Sequence, residues 1–365
     1  MGFESFLGNP KAVAAVRSML ASGHIPGALL FTGPDGVGKK TLALMLAKAL
    51  NCERTTDDFC GECPRCRKAE EMLAATREDL ARRRETKDSQ KRVEGLVYFD
   101  VQLIEPLTRY ILIEQIRQLR NVAYTRAFEL PRRVFVIDQA QAVHWQAIDL
   151  LLKVLEEPPE TTTLILVCPN PYELRPTIRS RCHPLTFQPV EEAVISALLT
   201  ERASVPEPKR LLAARVAAGS IAKARTFDAE EFERRRRPWL AFLDAVCAAG
   251  GEAGAVDWKV LFESTKALTE NRDELEEALK IGYALLRDAV QVAVAGANAR
   301  VVNVDLGSRL QSWAGRLGLG DIEKLKQGLD EAYRLQIRNV NLQLGFDALA
   351  LDVIRQRIAQ RAPRR

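Results

Sequence analysis

No uninterrupted apolar run in this 365-residue chain approaches the ~20 residues that a membrane-spanning helix needs. The first residues, Met1-Gly2-Phe3-Glu4-Ser5, lack both the basic start and the apolar stretch of a secretory signal, so a cytoplasmic protein with no membrane partner is expected. Charge of one sign is also in short supply. The 53 Lys and Arg against 48 Asp and Glu leave a net charge of +5, too mild by itself to argue for nucleic-acid binding. No internal repeat has a convincing period. His24 stands alone before an Ile-Pro step and reads as a turn residue rather than a ligand. The chain does have bulk: with 47% hydrophobic and 28% charged residues it can form two or three domains, each burying its own core.

The chain is organised around Gly33-Pro34-Asp35-Gly36-Val37-Gly38-Lys39-Lys40-Thr41. An apolar run, Ala28 to Phe31, precedes it, and an Ala/Leu-rich helical pattern, Leu42 to Leu50, follows. Strand, glycine turn, lysine and helix is the setting of a phosphate-binding loop. Glycines let backbone N–H groups converge on phosphate oxygens, and the helix N-terminus adds partial positive charge. Gly33, Gly36, Gly38, Lys39, Lys40 and Thr41 are therefore the candidate nucleotide contacts. One part is missing. The hydroxyl residue that should follow Lys39 and hold Mg²⁺ is replaced by Lys40, and a cationic side chain cannot coordinate a cation.

Cys52, Cys60, Cys63 and Cys66 are bunched, with Gly61 and Pro64 as turns between the last three. In a cytosolic chain this favours metal over disulfide. Four thiolates at this spacing can close a structural tetrahedral Zn²⁺ site. An iron–sulfur cluster also takes four cysteines, but no redox-partner motif accompanies these. The neighbouring Asp57, Asp58, Glu62 and Arg65 do not describe an apolar core. Cys168, Cys182 and Cys247 are scattered and read as small buried residues.

The spacing of Val13, Val16, Met19 and Leu20 predicts a helix ending near Gly23. Residues 67–94, rich in both charges, read as a solvated helical extension that includes Arg82-Arg83-Arg84. A strand is expected within Leu96–Ile104 and a helix along Ile113, Ile116, Leu119 and Val122. Arg133-Val134-Phe135-Val136-Ile137-Asp138 has the form of a core parallel strand with an acid at its C-terminal end, where α/β proteins bind ligands. Asp138 is a candidate for the Mg²⁺ site of a nucleotide loop. Gln139 then stands where a water-orienting Glu is expected, and an amide cannot take a proton. A helix over Ile148–Glu157, stopped by Pro158-Pro159, and a strand over Thr163–Cys168 continue the alternation, which argues for a parallel sheet covered by helices. After Pro189 a short helical unit, 190–227, precedes a charged stretch that ends in Arg234-Arg235-Arg236-Arg237-Pro238 and reads as an exposed connecting segment. From Trp239 onward the pattern is amphipathic helix throughout.

Taken together, Phe6-Leu7-Gly8-Asn9, the loop, the four-cysteine insertion, Leu155-Glu156-Glu157-Pro158-Pro159 and Ser180-Arg181-Cys182 resemble the clamp-loader branch of the AAA+ proteins, the clamp-loader subunits of bacterial DNA polymerase III. Asn339-Val340-Asn341-Leu342 is similar to the start of that family's last collar helix. The resemblance implies an AAA+ nucleotide-binding-like domain over 1–188 with a zinc module at 52–66, a helical lid over 189–230 and a helical collar over 231–365. It also implies a hetero-pentamer with motor and wrench-type subunits that places a sliding clamp on primer–template DNA. Nucleotide in this family lies between subunits, so Arg181 would be an arginine finger acting in a neighbour's site.

Four positions depart from an active motor: Lys40, Gln139, the Val167-Cys168-Pro169-Asn170 stretch where a polar γ-phosphate sensor is expected, and Ala222 where the lid carries a sensor arginine. The resemblance with these departures implies a stator-like subunit without ATPase activity of its own, in which ATP or ADP can still occupy the loop. An active motor ATPase of the same family is the alternative; Lys40, Gln139 and the lack of a long extension after residue 365 argue against it. A stand-alone zinc-dependent nucleic-acid-binding protein is a third reading, opposed by the dense nucleotide-loop set.

Overall fold

The computed structural model describes residues 2–201, 205–249, 256–335 and 340–361. The chain divides into two compact units, Met1–Ile195 with Ala218–Arg225, and Ser196–Ala217 with Thr226–Arg365.

The first unit is built on five parallel strands, β1 (Ala28–Thr32), β2 (Val101–Ile104), β3 (Arg133–Ile137), β4 (Thr162–Cys168) and β5 (His183–Thr186), in the order β2-β3-β4-β1-β5. Parallel strands require crossovers, and helices supply them: α1 (Pro10–Ser22), α2 (Lys39–Ala49), α3 (Pro64–Glu85), α4 (Ser89–Val93), α5 (Ile113–Ala123), α6 (Ile148–Glu156) and α7 (Pro176–Arg179). Every residue of β1, β3 and β4 is buried, which explains why these segments read as continuous apolar runs rather than alternating ones. In register, Thr32 pairs with Cys168 and Ile137 with Leu166. The ends of β1, β3 and β4 therefore form one rim, and the loop, Asp138 and Cys168 share it. Arg133, at the start of β3, is buried, and its guanidinium meets Asp100 at 2.9 Å. Asp100 also accepts the backbone N–H groups of Phe128, Glu129 and Leu130, so this buried pair is fully hydrogen-bonded.

Beyond β5 come α8 (Glu192–Thr200), α9 (Glu207–Ala217) and α10 (Ile221–Thr226). The described residues of the second unit are otherwise helical: α11 (Ala229–Ala248), α12 (Trp258–Thr269), α13 (Leu275–Ala295), α14 (Gly307–Arg316), α15 (Leu319–Leu335) and α16 (Leu342–Arg361). Its core gathers Trp239, Phe242, Leu285, Leu310, Trp313, Leu325 and Phe346. Asn341 caps α16 by accepting the N–H groups of Gln343 and Leu344. Asn339, singled out with it in the sequence, lies outside the described residues.

Two charge runs differ from expectation. Arg83 is not solvated: it is 5% exposed and donates to the carbonyls of Arg92, Glu94 and Gly95, closing the turn after α3. The run Arg234–Arg237 is not a connecting segment but part of α11. Its Arg236 is 1% exposed and pairs with Asp305 and Glu233. In both cases an arginine gains a set of acceptors that local charge pattern does not disclose.

Candidate functional site

The turn after β1 needs backbone that only glycine adopts freely. Gly36 has φ +76°, and a Cβ there would lie 2.0 Å from Ser220 Oγ. Gly38, with φ +100°, is the N-cap of α2. Gly36 O accepts the N–H of Ala222 at 3.1 Å, so the segment carrying the sensor-like position packs directly on the loop. Ala222 brings no cation there.

Lys39 is buried and turned onto its own loop, donating to Gly33 O at 2.5 Å and Pro34 O at 2.6 Å, with Asp35 at 3.6 Å. Burial depresses its pKa, only partly countered by Asp35 and Asp138. Thr41 is exposed on the first turn of α2, and no acid stands in that turn. Two lysines therefore begin a helix whose N-terminus is already positive, which is unfavourable without counter-charge and raises the positive potential at the loop.

Counter-charge comes from the ends of two neighbouring strands. Lys40 Nζ lies 2.7 Å from Glu105 Oε1 and 3.0 Å from Asp138 Oδ2. Arg84 reaches the other oxygen of Glu105 at 2.7 Å. Burial would lower the pKa of Lys40, but its bond to Glu105 and the charge of Asp138 outweigh that and raise it. Burial likewise works against ionisation of Glu105, and Lys40 and Arg84 reverse it. Glu105 and Arg84 had no role in the sequence reading. Glu105 follows β2 as Asp138 follows β3, but the polar Gln102 interrupts β2, and no local pattern pairs Arg84 with Glu105.

A Mg²⁺ ion at this rim, as phosphate-loop nucleoside triphosphatases use, needs a hydroxyl beside the lysine and a free carboxylate. Here the position after Lys39 carries an ammonium, and that ammonium already engages Asp138. The residues present do not fit the ion. Gln139 is exposed, has φ +54° and gives its backbone N–H to Asp138. Cys168 is buried beneath the loop, its thiol pushed up to about 11 by burial. Asn170 is occupied in capping the N–H of Tyr172.

Arg181 is on the opposite rim. It sits two residues before β5, at the N-terminal ends of the strands, next to the end of α6. Its guanidinium pairs with Glu156 at 2.8 Å and donates to Thr177 O at 2.9 Å, and the side chain is 35% exposed. A strand of five residues spans ~16 Å, so the sheet itself stands between Arg181 and the chain's own loop.

The four cysteine Sγ atoms of Cys52, Cys60, Cys63 and Cys66 lie within 4.8 Å of one another, a group that could hold a metal ion. Cys52 and Cys60 are 3.8 Å apart, about the edge of a tetrahedron with 2.3 Å Zn–S bonds. Cys63 N–H points to Cys60 Sγ and Cys66 N–H to Cys63 Sγ, the outer donors that stabilise thiolates. Burial opposes ionisation of Cys52, yet the Thr55 hydroxyl and nearby backbone N–H groups bring it to about 6. The donor set fits Zn²⁺.

A parallel α/β sheet with a glycine-lysine loop at its C-terminal rim defines a phosphate-loop protein. The family described as "DNA polymerase III, delta subunit" matches residues 8–191, half of the chain, and the chain belongs to that family. It is 29% identical over 204 residues to DNA polymerase III subunit delta' of Bacillus subtilis, covering 56% of this chain and 55% of that protein. Against DNA polymerase III subunit tau of Escherichia coli it is 31% identical over 228 residues, 61% of this chain and 32% of the relative. The chain thus spans about half the length, or less, of these relatives. A DNA polymerase III gamma subunit-related protein from Thermotoga maritima aligns over 95% of this chain and 99% of its own, at 13% identity and a TM-score of 0.44. Among the described residues no helix is long and apolar enough to cross a membrane.

Proposed function

We propose that this chain is a non-hydrolysing subunit of a bacterial sliding-clamp loader, and that it supplies Arg181 in trans to a neighbouring ATPase subunit. One observation carries the reading: Arg181 and the chain's own phosphate loop lie on opposite rims of the sheet. An arginine there cannot stabilise a phosphoryl group in its own loop, whereas the rim of one subunit can face the loop rim of the next. The residues at the loop rim disfavour a motor role, because Lys40, Gln139, Cys168 and Ala222 replace the groups that would bind metal, orient water and sense a γ-phosphate. Removing one preorganised catalytic group costs ~10²–10³ in rate, so four changes in one site leave no useful turnover.

On this reading the chain works in the cytoplasm within a hetero-pentamer of motor and wrench-type subunits, and meets the clamp and primer–template DNA through that complex. Residues 1–188, 189–230 and 231–365 serve as nucleotide-binding-like domain, lid and collar. Cys52, Cys60, Cys63 and Cys66 hold a structural Zn²⁺ ion, which orders the connection between α2 and α3. Gly33, Gly36, Gly38, Lys39, Lys40 and Thr41 form a cradle that admits nucleotide without hydrolysing it.

Reconstitution with candidate partner subunits tests the reading. The isolated chain should show no ATP turnover, and appreciable hydrolysis would sink it. Metal analysis should return one zinc per chain, and removal should unfold the 52–66 segment. A metal-free chain that keeps this segment folded would refute the zinc site.

A further inference from the structure

Glu105 and Asp138 close the ends of adjacent strands β2 and β3, which is where a phosphate-loop protein would offer carboxylates to a divalent cation. Both are mostly buried, with side chains 10% and 14% exposed, and the Lys40 ammonium bridges them. A metal ion placed there would meet that ammonium. The charge balance opposes entry as well: Lys40 and Arg84 cancel Glu105 and Asp138, so the carboxylates have no negative charge left over to draw a dication.

An ammonium has three N–H donors and no acceptor. Two are used by Glu105 and Asp138, which leaves one, and the Lys40 side chain keeps 45% of its surface open to solvent. It springs from the second residue of α2, at the positive end of the helix and beside the glycine turn. Lys39, one residue earlier, holds only carbonyls of its own loop and Asp35, and an anionic oxygen is a stronger acceptor than a carbonyl. The loop thus presents two ammonium groups in place of one lysine and a metal.

We propose that the Lys40 ammonium stands in for the divalent cation of this phosphate loop, so that a nucleoside diphosphate binds to it without metal. The proposal rests on the reading of residues 33–41 as a phosphate cradle. A diphosphate is favoured over a triphosphate because the groups that would meet a third phosphate are absent: Cys168 is buried and apolar, and Ala222 carries no cation.

The experiment is equilibrium binding of ADP to the full chain, in excess Mg²⁺ and in EDTA. The wild-type chain should bind ADP at least as tightly in EDTA as in excess Mg²⁺, because Mg²⁺ complexed to ADP would meet the Lys40 ammonium. Lys40→Gln, which keeps a similar length but removes the charge, should lose ~10-fold or more in both conditions, the usual worth of a charge-assisted hydrogen bond. Lys40→Thr, which restores a hydroxyl and frees Asp138, should bind ADP ~10-fold or more tightly in Mg²⁺ than in EDTA. Tightening of the wild type by Mg²⁺, unchanged binding by Lys40→Gln, or no ADP binding by the wild type in either condition would each overturn the proposal. The wild-type comparison needs no variant, so a substitution that fails to fold leaves the question decidable. Failure here leaves the stator reading standing, because that depends on Arg181 and is read in a partner's ATPase rate.

Discussion

At the C-terminal rim of the sheet, the cations are neutralised by the chain's own groups. Lys39 is buried against its own loop and Lys40 bridges two carboxylates that are themselves nearly covered. At the N-terminal rim, Arg181 is held by one carboxylate, Glu156, which is 48% exposed, and by one backbone carbonyl. Moving Lys40 would leave Asp138 without its ion pair and Glu105 with Arg84 alone, both mostly covered. Moving Arg181 would leave Glu156 in water, at little cost. The rim that resembles an active site has its cations matched by covered groups of the chain itself, and on the proposed reading the other rim carries the charge offered to a neighbour. A family signature in the sequence does not tell these apart, because both motifs are present; the difference lies in how each cation is neutralised.

The largest effect that could break this contrast is at Arg181. In the reconstituted complex Arg181→Ala should lower DNA-stimulated ATP hydrolysis at the site it serves by ~10²-fold or more, the range for loss of a transition-state cation. Assembly, checked by gel filtration, should be unchanged. A rate equal to wild type would remove the functional half of the contrast and leave Arg181 as a surface ion-pair residue.

A smaller effect is expected at the loop rim, on stability rather than turnover. Breaking a fully buried ion pair costs about 3–5 kcal/mol, but Lys40 is half-exposed and water can reach its partners, so Lys40→Gln should cost ~1–2 kcal/mol at neutral pH. The pH dependence identifies the cause. Glu105 has a folded pKa below its ordinary value, so its contribution is present above the unfolded value of about 4.3 and is lost as pH falls through the lower folded value. Lys40 is raised, so its contribution is present below its unfolded value of about 10.4 and is lost as pH rises through the folded one. The difference between variant and wild type in urea melts should therefore be widest between about pH 5 and pH 10 and shrink on either side. A difference that ignores pH would mean lost side-chain packing rather than lost charge.

Much of the first unit was legible because buried parallel strands and a phosphate loop are local patterns: β1, β3 and β4 announce themselves as apolar runs, and the glycines fix the turn. The cysteine cluster was legible for the same reason, since 15 residues contain all four cysteines. The networks were not. Arg84 meets a carboxylate 21 residues away, and Arg236 meets one 69 residues away. A run of arginines looks solvated in one dimension whether or not the fold brings acids to it. Glu105 was hidden differently. Its strand is only four residues long, and Gln102 interrupts the apolar run. The opposed placement of Arg181 and the loop is a property of strand direction, which a motif does not carry until the strands are paired.

The finest test of the contrast concerns Glu156. If this residue only parks Arg181, then Glu156→Gln should shift the stability of the chain by no more than ~0.5 kcal/mol, as for other exposed pairs. It should also leave the partner's ATPase maximum near wild type, because the guanidinium keeps its anchor on Thr177 O. The salt dependence should change more than the rate. In the wild type, added salt screens the competing Glu156 pair as well as the finger's attraction to phosphate, whereas in the variant only the second effect remains. Wild-type and Glu156→Gln complexes titrated with salt should therefore diverge, the variant losing activity more steeply. Parallel curves would indicate that Glu156 does not hold the finger back. A large rate loss at low salt would indicate the opposite of parking: that Glu156 positions Arg181 for its neighbour, and that the N-terminal rim is as firmly organised as the loop rim.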